Sequence, residues 1–247
     1  MRNAGYKTLL LTALLIGHVC APHAWPADAP DPSAVRAAES AVRQAVTRFA
    51  DALIAADATQ LRSSIWVSEG IKAQELGRDA LIDLIVAEKR LERSAVARFG
   101  AEGQRFRCGF DLIFSAADRQ ALSNAVVVFD DPKSAARVVK PGEVWPLRVR
   151  QSPRQSWRVV LDILDNELDD DPNEASEPDD ISNLRIERLR ATAEAVNLTA
   201  LRIEQGQTSS AITAESELLD RLATIAADFR ANFRKLPDRY RWGADMR

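Results

Sequence analysis

Between Asn124 and Leu164 the side chains repeat with a period of two, and no other stretch limits the possible folds as much. Four strands can be read there, AVVVF, AARVVK, WPLRVRQ and SWRVVLDIL, separated by DDPK, PGEV and SPRQ. In the last of them Trp157, Val159, Leu161 and Ile163 alternate with Arg158, Val160 and Asp162, so one face is apolar and the other mixed. Trp145, Leu147 and Val149 oppose Arg148 and Arg150 in the same way. A one-residue slip would turn the apolar row to water, so the pairing register is strongly specified. Asp130-Asp131-Pro132-Lys133 and Ser152-Pro153-Arg154-Gln155 have turn composition, which predicts two hairpins. Pro141-Gly142 breaks the path between them, and Pro146 predicts an edge or a bulge at the start of the third strand. A four-stranded antiparallel meander with one apolar face needs a cover, and the flanking helical segments supply it. The expected fold class is α+β.

The segments on either side have helical periodicity. Asp31-Pro32-Ser33 is an oxygen-bearing cap followed by proline in the first turn. Val35, Ala38, Val42, Ala45, Val46, Phe49, Ala52 and Leu53 then form one stripe, ending near Ala56-Asp57. Leu61 to Trp66 is a short second element. A third helix is predicted from Ser68-Glu69 to Phe99, with Leu81, Leu84, Ile85, Glu88 and Leu91 in step and a break plausible at Gly70 or Gly77. Gly100 to Gly103 ends it. The spacing of Phe110, Ile113, Phe114, Ala117 and Ala121 favours a helix from Phe110 to Leu122, with Phe106-Arg107-Cys108 as the strand alternative. Beyond the strands, Leu184–Gln205 and Thr213–Leu236 each carry an apolar stripe, and Gly206 closes the first. The pair is read as an antiparallel helical hairpin.

The first residues have the pattern of an export signal. Arg2 and Lys7 precede an apolar run from Thr8 to Ile16, and small residues follow at Ala21, Ala24, Ala27 and Ala29. That run is too short to span a bilayer, and no later run approaches the necessary length, so a cleaved signal peptide over 1–29 and a periplasmic or extracellular location are expected. Gly17-His18-Val19 before Cys20 is unlike a lipoprotein box, which argues against lipid anchoring. The organisation that follows is a domain over 30–164, an acidic linker over 165–182, the helical hairpin over 183–236 and a tail over 237–247.

Removing Arg2, Lys7 and Asp28 with the signal turns 33 Lys+Arg and 36 Asp+Glu into 31 and 35. This acidic balance gives no nucleic-acid footprint, which would need a basic excess on one face. One cysteine then remains, Cys108, so the exported domain relies on its core rather than on an internal disulfide. Cys108 reads as a small buried hydrophobe, with pairing to another chain the alternative. From Asp162 to Asp180 there are ten acidic residues and no basic one. Asp165, Glu167 and Asp169 alternate like calcium ligands, but the glycine of an EF-hand turn and its bidentate glutamate are missing, which favours a solvated linker.

The chemistry missing from the expected mature chain is informative. Both histidines, His18 and His23, lie in the export segment, which removes Ser–His and Cys–His nucleophiles and the usual zinc and copper ligands. Tyr6 lies there too, and Tyr240 is near the C-terminus. No glycine pattern supports a phosphate-binding loop or a dinucleotide turn. Carboxylates are left for acid–base work; Asp51, Asp57 and Asp111 are read as caps or surface groups rather than bases. No cofactor and no catalytic or metal-binding residue is expected. Trp66, Trp145 and Trp157 either line a pocket or pack in a core.

The helical opening that exits through Ala55-Ala56-Asp57-Ala58, the short element after it, the third helix and a meander ending in Ser156-Trp157-Arg158-Val159-Val160 together resemble the nuclear transport factor 2-like superfamily over Ala34 to Leu164. The resemblance implies a cone of curved antiparallel sheet closed over the first helices. The superfamily includes ketosteroid isomerases, polyketide cyclases, dehydratases and non-catalytic binding modules. Its isomerases use an aspartate base with a tyrosine and a protonated aspartate. No tyrosine lies between Lys7 and Arg239 here, and the dehydratase histidine has no counterpart, so no catalytic role carries over. The resemblance therefore implies a pocket without a reaction. The expected function is an exported non-catalytic domain binding a small apolar ligand, through Phe49, Trp66 and Trp157, or an envelope protein. A carboxylate-dependent lyase or isomerase and a structural homodimerisation module are the alternatives.

Overall fold

The computed structural model describes residues 31–107, 116–122, 125–131, 133–139, 147–154, 156–161 and 179–236. The protein is α+β: six α-helices and one four-stranded antiparallel sheet among the described residues. Helix α1 spans Pro32–Ala55, with the Asp31 carboxylate accepting the Ser33 backbone N–H at 2.9 Å. At its end Ala56 adopts a left-handed conformation (φ 56°, ψ 41°), which turns the chain so that Asp57 can cap α2, Ala58–Ser64. Asp57 Oδ1 accepts from the backbone N–H groups of Thr59 and Gln60, each at 3.0 Å. The Ala-Asp exit read from the sequence is thus a helix end joined to a helix start.

The third helix, α3, is Lys72–Phe99, starting three to four residues later than the sequence spacing suggests. The chain turns at Glu69-Gly70, and the Ser68 N–H is satisfied by the side chain of Gln74, 2.7 Å away and buried. Gly77 lies within the unbroken helix. Its propensity cost of about 1 kcal/mol is outweighed because α3 packs on two sides. A 3-10 helix, Gly100–Phe106, follows directly, so Phe106 is not in a strand. Helix α4 is Ala116–Leu122; the part of the predicted Phe110–Leu122 helix before it, together with Cys108 and Asp111, lies outside the described residues.

The strands are β1 (Val126–Asp131), β2 (Ala135–Val139), β3 (Leu147–Gln151) and β4 (Trp157–Val160), in spatial order β1-β2-β3-β4. Phe129, Ala136, Val149 and Val159 stand in register across the sheet and form one apolar row. β3 pairs on both sides and is therefore not an edge; Pro146, where the alternative of a bulge falls, lies outside the described residues. β1 carries a bulge between Phe129 and Asp131. Beyond β4, Ile65 forms a parallel bridge with Val159, and the Trp66 N–H donates to Val159 O at 2.8 Å. Trp145, Ile163 and the acidic segment as far as Pro178 lie outside the described residues.

Two cores result. The first joins α1 (Val42, Val46, Phe49, Leu53), α2 (Leu61), α3 (Leu81, Ile82, Ile85) and the inner face of the sheet (Val138, Val149, Trp157, Val159). The second joins the other side of α3 (Leu84, Ala87, Leu91, Ala95) to α5, Asp179–Glu204, through Ala193, Val196, Ala200 and Ile203. Helix α6, Ala211–Phe233, enters this second core with Ala211 and Ala214. Arg202 pairs with Glu217 at 2.8 Å, and the Arg188 guanidinium lies 4.9 Å from the Phe229 ring centre. These contacts run α5 and α6 in opposite directions. The shared wall is α3: α5 rests on it, and α6 packs on α5 and the 3-10 helix.

Candidate functional site

The three aromatic residues expected to line a pocket lie on two sides of the sheet. Phe49 and Trp157 are in the first core, 2 % and 5 % exposed, among Leu53, Ile85 and Val149. The Phe129 ring meets Trp157 edge-on with centroids 6.1 Å apart. Such contact adds about 0.5–1.5 kcal/mol beyond the area buried. Trp66 is half-buried on the opposite face. Val149 points into the core, so its neighbour Arg150 points away from it, and the Arg150 guanidinium lies 4.8 Å from the centre of the Trp66 ring.

That outer face carries four arginines. Arg137 is directly opposite Arg148, and Arg150 directly opposite Arg158. Like charges with Cβ atoms ~5 Å apart repel unless neutralised. Asp130 answers Arg137 at 2.7 Å, and Trp66 covers Arg150. Arg158 Nε is buried without a hydrogen-bond partner among the described residues. The alternation of charge was legible in the sequence; the pairing of arginine with arginine was not, because it depends on the register of separate strands.

Several of the described carboxylates work as caps and ion pairs. Asp57 caps α2. Asp51 pairs with Arg119, whose Nη2 is 3.1 Å from Oδ2, and the guanidinium holds this carboxyl below its usual range. At Asp79 burial pushes the carboxyl up, but Arg62 and Arg78 outweigh it and the net shift is downward. Glu204 is brought down to about 2 by Arg90 and by the Ser94 hydroxyl, both donors on α3. An acid kept ionised in this way is a poor proton donor near neutral pH. Lys89 is buried on α3 with Glu92 Oε2 3.4 Å from its ammonium, a placement not signalled by the helical stripe.

Two shallow grooves of about 390 Å³ each lie away from the sheet. One runs between α5 and the end of α6, past Asn183, Glu187 and Asn232. The other is bounded by Ala58, Asp83, Val86, Arg190 and Glu194. Neither touches Phe49, Trp66 or Trp157. Among the described residues no group of three or more Cys, Asp or Glu side chains is placed to hold a metal ion. No described helix is long and apolar enough to cross a membrane.

The fold and these sites define an α+β protein in which the sheet's inner face is filled by the protein's own side chains. No protein-family description, characterised protein or solved structure matches the chain.

Proposed function

We propose that this chain is an exported, non-catalytic domain of nuclear transport factor 2-like architecture that acts by holding a protein partner. One observation carries the choice of a protein over a small ligand. Phe49, Trp157 and their neighbours close the space between sheet and helices, while β1 leaves Val126 59 % and Val128 39 % exposed. The resemblance is supported by α1, α2 and α3 coming before a meander, with the 3-10 helix and α4 between them and it, and by α1 lying against the apolar sheet face. Against a carboxylate-dependent enzyme stands the engagement of Asp51, Asp79 and Glu204 with arginines at the surface.

The test is affinity capture of the exported chain from envelope extract, run beside a thermal-shift screen with a panel of apolar ligands. A stoichiometric protein complex that raises the melting temperature, with no shift from the ligand panel, is the expected result. Strong stabilisation by an apolar ligand with no protein complex would replace this reading with the small-ligand one.

A further inference from the structure

Along the contact between α3 and α5, charged residues of the same kinds behave in two ways. Near the end of α5 the seam is closed. Arg90 on α3 donates to both carboxylate oxygens of Glu204, at 2.9 and 2.6 Å, and the Ser94 hydroxyl donates to the same carboxylate. Nearer the middle of α5 it stays open. There Asp83 of α3 and Arg190, Glu194 and Asn197 of α5 border one groove of about 390 Å³. Among the described residues none of these four side chains has a hydrogen-bond or ion-pair partner.

The groove has a size that small molecules occupy. Its apolar lining is slight: Val86 is half-buried, Ala193 is buried, and Ala58 stands at the start of α2, so the two alanines leave the space unfilled. Arg190, Ala193, Glu194 and Asn197 follow at three- and four-residue spacing, which puts them on one face of α5. The arginine precedes the glutamate by one turn, the weaker order for such a pair on a helix.

We propose that this groove binds a basic α-amino acid, a small zwitterion with one further positive charge. Two carboxylates and one guanidinium border the groove, so a ligand with one carboxylate and two cationic groups matches its lining charge for charge. A guanidinium grips a carboxylate through two parallel hydrogen bonds, and the Asn197 amide can donate beside it. Asp83 and Glu194 accept from the two cationic groups, while the aliphatic stem between those groups lies on Val86 and the alanines. A phosphate would meet two carboxylates, and a polyamine would meet the guanidinium. The site goes beyond the partner-binding reading, which makes no use of this groove.

The test is calorimetric titration of the full chain at low salt with L-lysine, with norleucine, which lacks the side-chain amine, and with cadaverine, which lacks the carboxylate. Lysine should bind saturably at millimolar concentration or below, and more tightly than either of the others. Arg190→Gln and Glu194→Gln should each weaken lysine binding about fivefold, the upper worth of one exposed charge contact. The first should also erase the preference over cadaverine, and the second should narrow the preference over norleucine. Both positions are exposed, so the melting temperature should hold. Asp83→Asn, exposed on the other helix, gives an independent variant should either α5 substitution disturb the fold. No saturable binding of lysine at millimolar concentration would overturn the site, as would equal affinity for all the ligands or an affinity unchanged in every variant. None of these results touches capture of a protein partner, so the two readings can fail separately.

Discussion

Trp157 and Phe49 show how single side chains hold the first core. Replacing Trp157 by alanine should cost about 3–5 kcal/mol, because the walls formed by Val149, Phe129 and Leu53 cannot collapse fully into the space. Chemical denaturation measures this, and a loss below 1 kcal/mol would mean that the ring is not packed as described. Ala56 offers a change of opposite sign. It is the one described residue other than glycine with positive φ, and glycine there should stabilise the protein by about 1 kcal/mol. Asp57→Ala should cost about 0.5–2 kcal/mol by leaving the α2 N–H groups of Thr59 and Gln60 without their acceptor.

At the scale of elements, the contact between α3 and α5 combines apolar packing with one exposed ionic cluster. Glu204 has a folded-state pKa of about 2 against an ordinary value of 4.5, held down by Arg90 and Ser94. A depressed carboxylate contributes its stability above the unfolded-state value and loses it as pH falls through the folded-state value. The melting temperature of the protein should therefore drop between pH 5 and pH 2 partly on account of this group, and Glu204→Gln should flatten that part of the curve. The cluster is solvent-exposed, so its worth near neutral pH is at most about 1 kcal/mol. Gly103 is a stronger constraint. A Cβ there would come within 2.3 Å of the Ala95 carbonyl oxygen on α3, so the 3-10 helix lies directly against the helix before it. Gly103→Ala should destabilise the protein more than Gly206→Ala, where the added methyl meets only the Arg98 side chain at 3.7 Å and the cost comes from the backbone (φ 70°).

For the whole molecule the decisive feature is that α3 serves two cores. A chain ended at residue 161 would keep the first core but bare Leu84, Ala87, Leu91 and Ala95. It should aggregate, or melt lower by roughly 10 °C or more, as expected from losing several kcal/mol in a chain of this size. Size-exclusion chromatography with circular dichroism decides this. A monomer with unchanged melting temperature would show that the C-terminal helices add nothing to the rest.

Local pattern was enough for the α+β class, the four strands in order, the cap at Asp31 and the Ala56-Asp57 exit, because each depends on residues within one turn or one hairpin. Tertiary structure decided the rest. The apolar stripe of α3 reads as one face, but Leu81, Ile82 and Ile85 turn into the first core while Leu84, Leu91 and Ala95 turn into the second, with α5. Which side meets which partner depends on separate segments, α1, α2 and the sheet for one side and α5 for the other. The same holds for Trp66, whose apolar ring gave no sign that it would sit across the sheet from Trp157, under Arg150. A side chain's type and phase are local properties; the identity of its neighbours is set by how distant segments pack.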